Sequence, residues 1–187
     1  METIRTSDPA RIGAAMEIIA SFYRIEDERL RSQILAYLSG AIRSVDETVR
    51  LQAAKGILRQ AGEGDINMLR QVLQALGDLK TSPSPDVRKT CVNRLMNLAE
   101  KPAFRDPAAT EIEPLLADPE EQIRVRAARS LLILGRTSAR AIHIVIEDYR
   151  ARDPCVAEEK LSHYRELLWE ASADRTRTWA LLADLSD

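Results

Sequence analysis

The sequence contains few of the residues from which β-sheets and phosphate-binding loops are built. Its 187 residues include seven glycines and eight aromatic side chains, whereas strands favour aromatic and β-branched residues and phosphate loops depend on glycine. The two cysteines, Cys91 and Cys155, form no CxxC motif, so the sequence predicts neither a disulfide framework nor a zinc site. These shortages argue against a sheet-based fold, a glycine-rich phosphate loop and a structural metal.

Charge and hydropathy limit the partners that the molecule as a whole can attract. The formal net charge of -2 is too small to steer the chain toward nucleic acid or an anionic membrane. No run approaches the roughly 18 apolar residues of a membrane-spanning helix, and the first residues do not have the pattern of a secretory signal. We therefore expect a soluble, cytoplasmic protein without membrane contact, in which any acidic partner is held by a local patch.

Helix-start signals divide the chain into short segments. Asp or Ser followed by Pro suits a helix start, because the side chain accepts a bond from the first turn and proline fits the first helical position. Such pairs begin at Asp8, Ser84, Asp106, Asp118 and Asp153. Ser44 and Glu47 have the spacing of a capping box. Between these signals apolar residues recur at three- and four-residue steps. The pattern predicts ten helices, over 8–24, 27–43, 45–62, 64–81, 84–101, 106–117, 119–136, 138–151, 154–172 and 174–185.

Three of the predicted helices carry one repeated pattern. The aligned segments begin at Val49, Val87 and Ile123, at spacings of 38 and 36 residues. In each, the first and ninth places are large and apolar, and the fifth place is small, which lets a neighbouring helix approach closely. Such a helical hairpin is too small to bury its own apolar face, so successive hairpins must stack.

The third copy resembles the HEAT-repeat family. It combines a proline in its first helix (Pro114), an aspartate at the turn (Asp118) and an arginine early in its second helix (Arg124). The earlier copies keep the arginine, as Arg50 and Arg88, but lack the first-helix proline. The resemblance implies an all-α fold, a right-handed α-solenoid of about four HEAT-like hairpins. It does not fix the function, because one fold can host many functions.

The resemblance also implies one solenoid domain over residues 1–187. Three clear repeats cover 27–136, and a degenerate fourth repeat covers 138–173. The helix over 8–24 is predicted to cap the N-terminal end, and residues 174–187 the C-terminal end.

The repeated arginines Arg50, Arg88 and Arg124 allow two interpretations. They could form a basic ladder for an acidic ligand. The interpretation that we prefer is internal, with each arginine paired to a turn acid of its own or the next repeat. Partly exposed pairs of this kind contribute up to about 1 kcal/mol each.

A basic face is predicted on the second helices, which line the concave side in HEAT-like stacks. Helical spacing turns the fourth, seventh and eleventh places of the register toward solvent there. None of the residues at those places is acidic. The predicted partner-binding residues are Gln52, Lys55, Arg59, Asn93, Arg94, Asn97, Arg126 and Arg129. We predict an acidic protein surface or peptide as the partner, with a phosphate backbone or an ordinary solvated face as the alternatives.

The C-terminal tryptophans Trp169 and Trp179 form a secondary candidate site. They could be hot spots for a partner, or large fillers that seal the last repeat under its cap.

The sequence predicts no catalytic site. His143 and His163 lie on separate predicted helices, and no common nucleotide-binding, metalloprotease or hydrolase motif occurs. We predict no metal, no cofactor and no small-molecule substrate, and we expect Cys91 to be a buried structural thiol.

The leading hypothesis is a non-enzymatic, protein-binding scaffold or adaptor. A second class is a nucleic-acid-binding protein that is similar to the HEAT-like DNA glycosylases, which look for a damaged base. The predicted groove has no aromatic residue for base stacking, which counts against this class. A third class, a chromophore lyase with HEAT-like repeats, is not indicated by any particular residue.

Overall fold

A computed structural model describes residues 25–62 and 64–152. Within these residues it contains seven α-helices and no strand, which confirms the all-α prediction. The helices are α1 (Glu28–Ala41), α2 (Glu47–Gln60), α3 (Ile66–Leu79), α4 (Pro85–Ala99), α5 (Arg105–Ile112), α6 (Glu121–Ile133) and α7 (Ala139–Arg152). Two short 3-10 segments, Pro102–Phe104 and Glu113–Ala117, flank α5. None of these helices is long and apolar enough to cross a membrane. The helices predicted over 8–24, 154–172 and 174–185 lie outside the described residues.

The chain divides into two compact units between Glu111 and Ile112. In the first unit α1 packs on α2 and α3 packs on α4, while α2 also contacts both α3 and α4. The second unit contains the Glu113–Ala117 segment, α6 and α7, with α6 packed on both of the others. Contact between the second helices α2 and α4 is what stacking of two hairpins requires. The single domain expected over 1–187 stays a prediction.

The start of α2 differs from the predicted capping box. Asp46 caps the helix, with its Oδ1 accepting from the backbone N–H of Thr48 at 2.8 Å and of Val49 at 3.2 Å. Ser44 lies before the helix, where its Oγ accepts from the backbone N–H of Asp46 at 3.1 Å. One carboxylate therefore satisfies two of the free donors of the first turn, and the assignment of Ser44 as the cap was wrong.

The third repeat does not begin with one continuous helix over 106–117. The α-helix ends at Ile112, and Glu113–Ala117 continues as a 3-10 segment with Pro114 in its first turn. Proline has no N–H to donate and its ring crowds the preceding turn, which favours the change of helix type at this point.

Helix α6 begins and ends inside the predicted limits of 119–136. It begins at Glu121 because Asp118 forms a local turn, accepting from the backbone N–H of Glu120 at 2.9 Å. It ends before Gly135, which has a φ of 76°. The N–H of Arg136 then bonds to the carbonyl of Leu131 at 2.8 Å, as in a Schellman cap.

The repeated register forms the core of both units. The small residues of the fifth place, Ala53, Cys91 and Ala127, are all 0% exposed. Among the first and ninth places only Val87 is half-buried, and the others are buried. The prediction that small residues let neighbouring helices approach closely is therefore consistent with the packing.

Gly56 provides a direct test of the close approach between α1 and α2. A Cβ atom at Gly56 would lie 2.9 Å from Cδ1 of Leu38, and Leu38 is completely buried. We expect Gly56→Val to lower the free energy of unfolding by about 2 kcal/mol, because dense cores resist added methyl groups. Chemical denaturation followed by circular dichroism measures this difference.

Gly40, near the end of α1, is the matched control. A Cβ atom there would meet nothing within 4 Å, so Gly40→Ala should raise stability by about 0.5 kcal/mol through helix propensity alone. A Gly56→Val protein as stable as the parent would contradict the tight packing of Gly56 on Leu38.

Candidate functional site

The repeated arginines hold the turn between the two helices of a hairpin. Nη1 of Arg88 donates to the carbonyl oxygens of Ser82 at 2.8 Å and Pro83 at 3.3 Å. Nη1 of Arg124 makes the same two bonds, to the carbonyls six and five residues before it, at 2.8 and 2.9 Å. The two repeats therefore share one way of fixing the chain that enters the second helix.

These bonds agree with the internal, structural role that we preferred for the repeated arginines, but they involve hydrogen-bond acceptors that the sequence did not indicate. We expected each arginine to pair with a turn acid. Nη2 of Arg50 lies 3.9 Å from Oε1 of Glu47, in the first turn of its own helix. For Arg88 and Arg124, backbone carbonyl oxygens accept hydrogen bonds from the guanidinium. Comparing the side chains of successive repeats in the sequence does not reveal such acceptors.

Six of the predicted partner-binding residues belong to the first unit, on two helices that touch. Helix α2 carries Gln52, Lys55 and Arg59, and α4 carries Asn93, Arg94 and Asn97. Arg59 and Asn97 are exposed, and the other four are half-buried. We call these six residues the α2/α4 surface. It contains three basic residues and no acidic one.

Arg94 stands where the repeat otherwise has a small, buried residue. It occupies the eighth place of the register, which holds Gly56 in the first repeat and Ser130 in the third, and both of those residues are buried. Helical spacing puts this place between the first and fourth places, which in the second repeat are Val87 and Thr90, both half-buried. The long side chain of Arg94 therefore begins at the edge of the core, and its exposed part belongs to the α2/α4 surface.

Arg94 also differs from other arginines of similar burial. Four arginines, Arg31, Arg50, Arg94 and Arg129, have a buried Nε that donates to no acceptor within the described residues. Three of them have a carboxylate beside another guanidinium nitrogen, namely Glu28, Glu47 and Asp148, respectively. Among the described residues, Arg94 has no such partner.

The electrostatic environment of Arg94 is unfavourable to its charge. Burial lowers the pKa of the guanidinium, and the positive charge of Arg59 lowers that pKa further. These two predicted residues belong to helices that contact each other, α2 and α4. An anion beside Arg94 would oppose both effects.

In the second unit, Arg126 and Arg129 have different environments. Arg126 is exposed, whereas Nη2 of Arg129 donates to Oδ2 of Asp148 at 2.5 Å. The guanidinium of Arg129 also lies over the ring of Tyr149, 5.3 Å from its centre. Arg129 is therefore tied to α7 within its own unit. Asp148 was not predicted as a partner of Arg129, because the sequence comparison considered acids at the turns and on the second helices, and Asp148 belongs to neither set.

The remaining candidates for chemistry have little to offer in the described residues. No group of three or more His, Cys, Asp or Glu side chains in the described ranges could hold a metal ion. Cys91 is buried, as predicted, and burial raises the pKa of its thiol to about 12, which makes it a poor nucleophile. The predicted secondary site at Trp169 and Trp179 lies outside the described residues.

Comparison with known proteins supports the fold and leaves the function open. No protein-family model matches the chain, and no curated protein matches it. Among solved structures, a crystal structure of an engineered protein has a TM-score of 0.54 at 17% identity, covering 99% of this chain and 94% of that chain. A second engineered protein has a TM-score of 0.54 at 17% identity, covering 98% of this chain and 49% of that chain.

A designed armadillo repeat protein also aligns over 98% of this chain and 97% of that one, at 16% identity and a TM-score of 0.48. This third match is too distant to support an argument. The likeness to the two engineered proteins concerns the fold alone. This likeness, taken together with the stacked hairpins of the first unit and the register shared by α2, α4 and α6, identifies the chain as an all-helical repeat protein.

Proposed function

We propose that this protein is a non-enzymatic binding scaffold of the HEAT-repeat type, and that its α2/α4 surface receives an acidic segment of a protein partner in the cytoplasm. The observation that carries the proposal is Arg94, a half-buried arginine without a carboxylate partner in the described residues. Its helix contacts α2, which carries Lys55 and Arg59, and none of the six residues of the α2/α4 surface is acidic. An acidic partner would supply the missing negative charge.

Several features support the HEAT-type assignment. The turn arginines Arg88 and Arg124 make equivalent bonds in successive repeats, and Pro114 marks the change of helix type in the first half of the third repeat. A repeat fold of this kind offers an extended binding surface. The Cys91 thiol is buried and its pKa is raised, so this thiol is a poor candidate for a nucleophile.

A peptide-binding experiment tests the proposed function. We expect a fluorescein-labelled peptide rich in Asp and Glu to bind the full chain at low salt, as measured by fluorescence anisotropy. Lys55→Glu and Arg94→Glu should each weaken binding by about tenfold or more, since an attractive contact becomes a repulsive one. Circular dichroism checks that both variants keep their helix content.

Arg70→Glu is the matched control, because it makes the same charge change on an exposed residue of α3 in the same unit. Equal binding by the parent, Lys55→Glu, Arg94→Glu and Arg70→Glu proteins would show that the α2/α4 surface is not the site. Tighter, salt-dependent binding of an unrelated DNA duplex than of the peptide would indicate the nucleic-acid alternative.

A further inference from the structure

We propose that the partner's acidic segment lies on the α2/α4 surface as an extended chain, whose main-chain groups bond to Gln52 and Arg94. This inference rests on the proposed function and adds to it the conformation of the bound segment and two of its contacts. Both residues belong to the first unit, on the helices α2 and α4 that contact each other.

Gln52 is the first part of the argument. Its Oε1 atom is buried and accepts no hydrogen bond within the described residues. The other two glutamines of the first unit that are not exposed both have a donor. Oε1 of Gln60 accepts from the backbone N–H of Ile25 at 2.9 Å, and Oε1 of Gln71 accepts from the hydroxyl of Ser39 at 2.9 Å. Since buried polar atoms normally have a partner, Gln52 has an acceptor that the fold does not use.

Arg94 is the second part of the argument, and it has an unused donor. Its Nε is buried and donates to no acceptor within the described residues. The other arginines of the first unit that are described and not exposed each have a carbonyl or carboxylate oxygen near another guanidinium nitrogen. They are Arg31, Arg50 and Arg88. Helix α2 therefore contributes an unmatched acceptor to the α2/α4 surface, and α4 contributes an unmatched donor.

A peptide main chain supplies both of the missing partners. Each of its residues other than proline has one N–H, which Gln52 Oε1 can accept, and one C=O, to which Arg94 Nε can donate. A guanidinium has five N–H donors, so a main-chain contact at Nε leaves the Nη groups of Arg94 for a carboxylate of the partner. Both side chains are only half-buried, and rotation about their outer torsions turns the polar atoms toward a ligand without movement of the helices.

The need for free main-chain groups decides the conformation of the bound segment. Within an α-helix the N–H and C=O groups bond to one another, so an acidic helix would offer carboxylates to Arg94 but no main-chain donor to Gln52 along its length. In an extended segment these groups point outward from the chain and are open to a second molecule. The unmatched pair on the α2/α4 surface therefore favours an extended acidic segment over an acidic helix.

An acidic peptoid tests the inference on the full chain. A peptoid carries its side chains on the main-chain nitrogens, so it can match the carboxylates and carbonyls of the acidic peptide but has no main-chain N–H. We expect the peptide to bind about tenfold more tightly than the matched peptoid in the anisotropy assay. A hydrocarbon-stapled, helical form of the same peptide should also bind about tenfold more weakly than the flexible peptide.

Gln52→Leu connects the loss of the N–H contact to one residue. It removes the acceptor, so it should abolish the advantage of the peptide over the peptoid and leave peptoid affinity unchanged. Gln74→Leu makes the same substitution at an exposed position of α3 and should preserve that advantage. Because Oε1 of Gln52 has no partner in the free protein, the urea midpoint of Gln52→Leu should equal or exceed that of the parent.

Arg94→Lys tests the second contact. Lysine keeps the positive charge but has no Nε–H and no planar fork, so the peptide and the peptoid, which both have carbonyls, should each bind about fivefold more weakly. Binding of both ligands as tightly as by the parent would overturn the main-chain contact of Arg94.

A spectroscopic measurement on the unmutated protein covers the case in which a variant fails to fold. In ¹⁵N-labelled protein, the side-chain amide resonances of Gln52 should shift further at saturation with the peptide than at saturation with the peptoid. Equal shifts would overturn the contact of Gln52 with the main chain.

The remaining outcomes separate this inference from the proposed function. Equal affinity of the parent for peptide and peptoid, with Lys55→Glu still weakening both, would overturn the main-chain contacts and leave a scaffold for acidic segments standing. Tighter binding of the stapled peptide than of the flexible one would overturn the extended conformation alone. Failure of the peptide, the peptoid and the stapled peptide to bind would overturn the proposed function as well.

Discussion

Replacing Arg88 with Met is expected to lower the free energy of unfolding by about 3 kcal/mol. Arg88 is 8% exposed, and its Nη1 donates to two carbonyl oxygens of the turn before α4. Methionine retains most of the stem but leaves those carbonyls without this donor. A hydrogen bond from a charged group contributes about 1.5–3 kcal/mol, and a buried acceptor left unsatisfied adds a further cost. Urea denaturation followed by far-ultraviolet circular dichroism measures the change.

The equivalent Arg124 gives an internal comparison for this prediction. Its Nη1 makes the same two bonds, but the residue is half-buried rather than buried, so water can replace part of the lost bonding. We expect Arg124→Met to cost about 1 kcal/mol, and Arg70→Met, on an exposed position of α3, to cost nearly nothing. If Arg88→Met and Arg70→Met gave the same stability, the turn bonds of Arg88 would contribute little.

The helices and their core were predictable because both depend on patterns that lie within one segment. Apolar spacing predicts the helices of the described residues to within a few positions, except that α5 ends at Ile112 rather than at 117. The register identifies Ala53, Cys91 and Ala127 as close-packing residues, and all three are buried. The misplaced boundaries have local causes. Asp46 competes with Ser44 for the same free N–H groups, and a sequence pattern does not rank two such caps.

The candidate site was less predictable because it depends on contacts between helices. Of the eight predicted partner-binding residues of α2, α4 and α6, three are exposed and five are half-buried, and their role in binding stays a prediction. Helical spacing did not show that Asp148 on α7 engages Arg129, because that acid is 19 residues away in the chain. A signal for Arg94 was present in the register, where it stands in place of Gly56 and Ser130.

The stability of the protein should fall steeply at alkaline pH, and Cys91 should account for a definable part of the loss. Burial, with a smaller contribution from the negative charge of Glu47, raises the pKa of its thiol from 9.0 to about 12 against the opposing effect of Arg50. Below pH 9 the thiol is protonated in both states and contributes no pH dependence. Above pH 9 the unfolded chain releases the proton and the folded chain does not, which stabilises the unfolded state. One such group lowers the free energy of unfolding by up to about 1.4 kcal/mol per pH unit until its native pKa is reached.

Cys91→Ala isolates this contribution, because alanine occupies the same place in the other two repeats, as Ala53 and Ala127. Urea denaturation of both proteins between about pH 8 and pH 11 should give curves that are parallel up to about pH 9 and then converge or cross, with the parent losing more stability. Every other titrating group is common to the two proteins and cancels in the difference. Parallel curves over the whole range would show that the thiol ionises as easily in the folded protein as in the unfolded chain.

The burial of Cys91 also predicts that its thiol reacts slowly with a thiol reagent. In a Cys155→Ser background, Cys91 should react only as fast as the surrounding helices open.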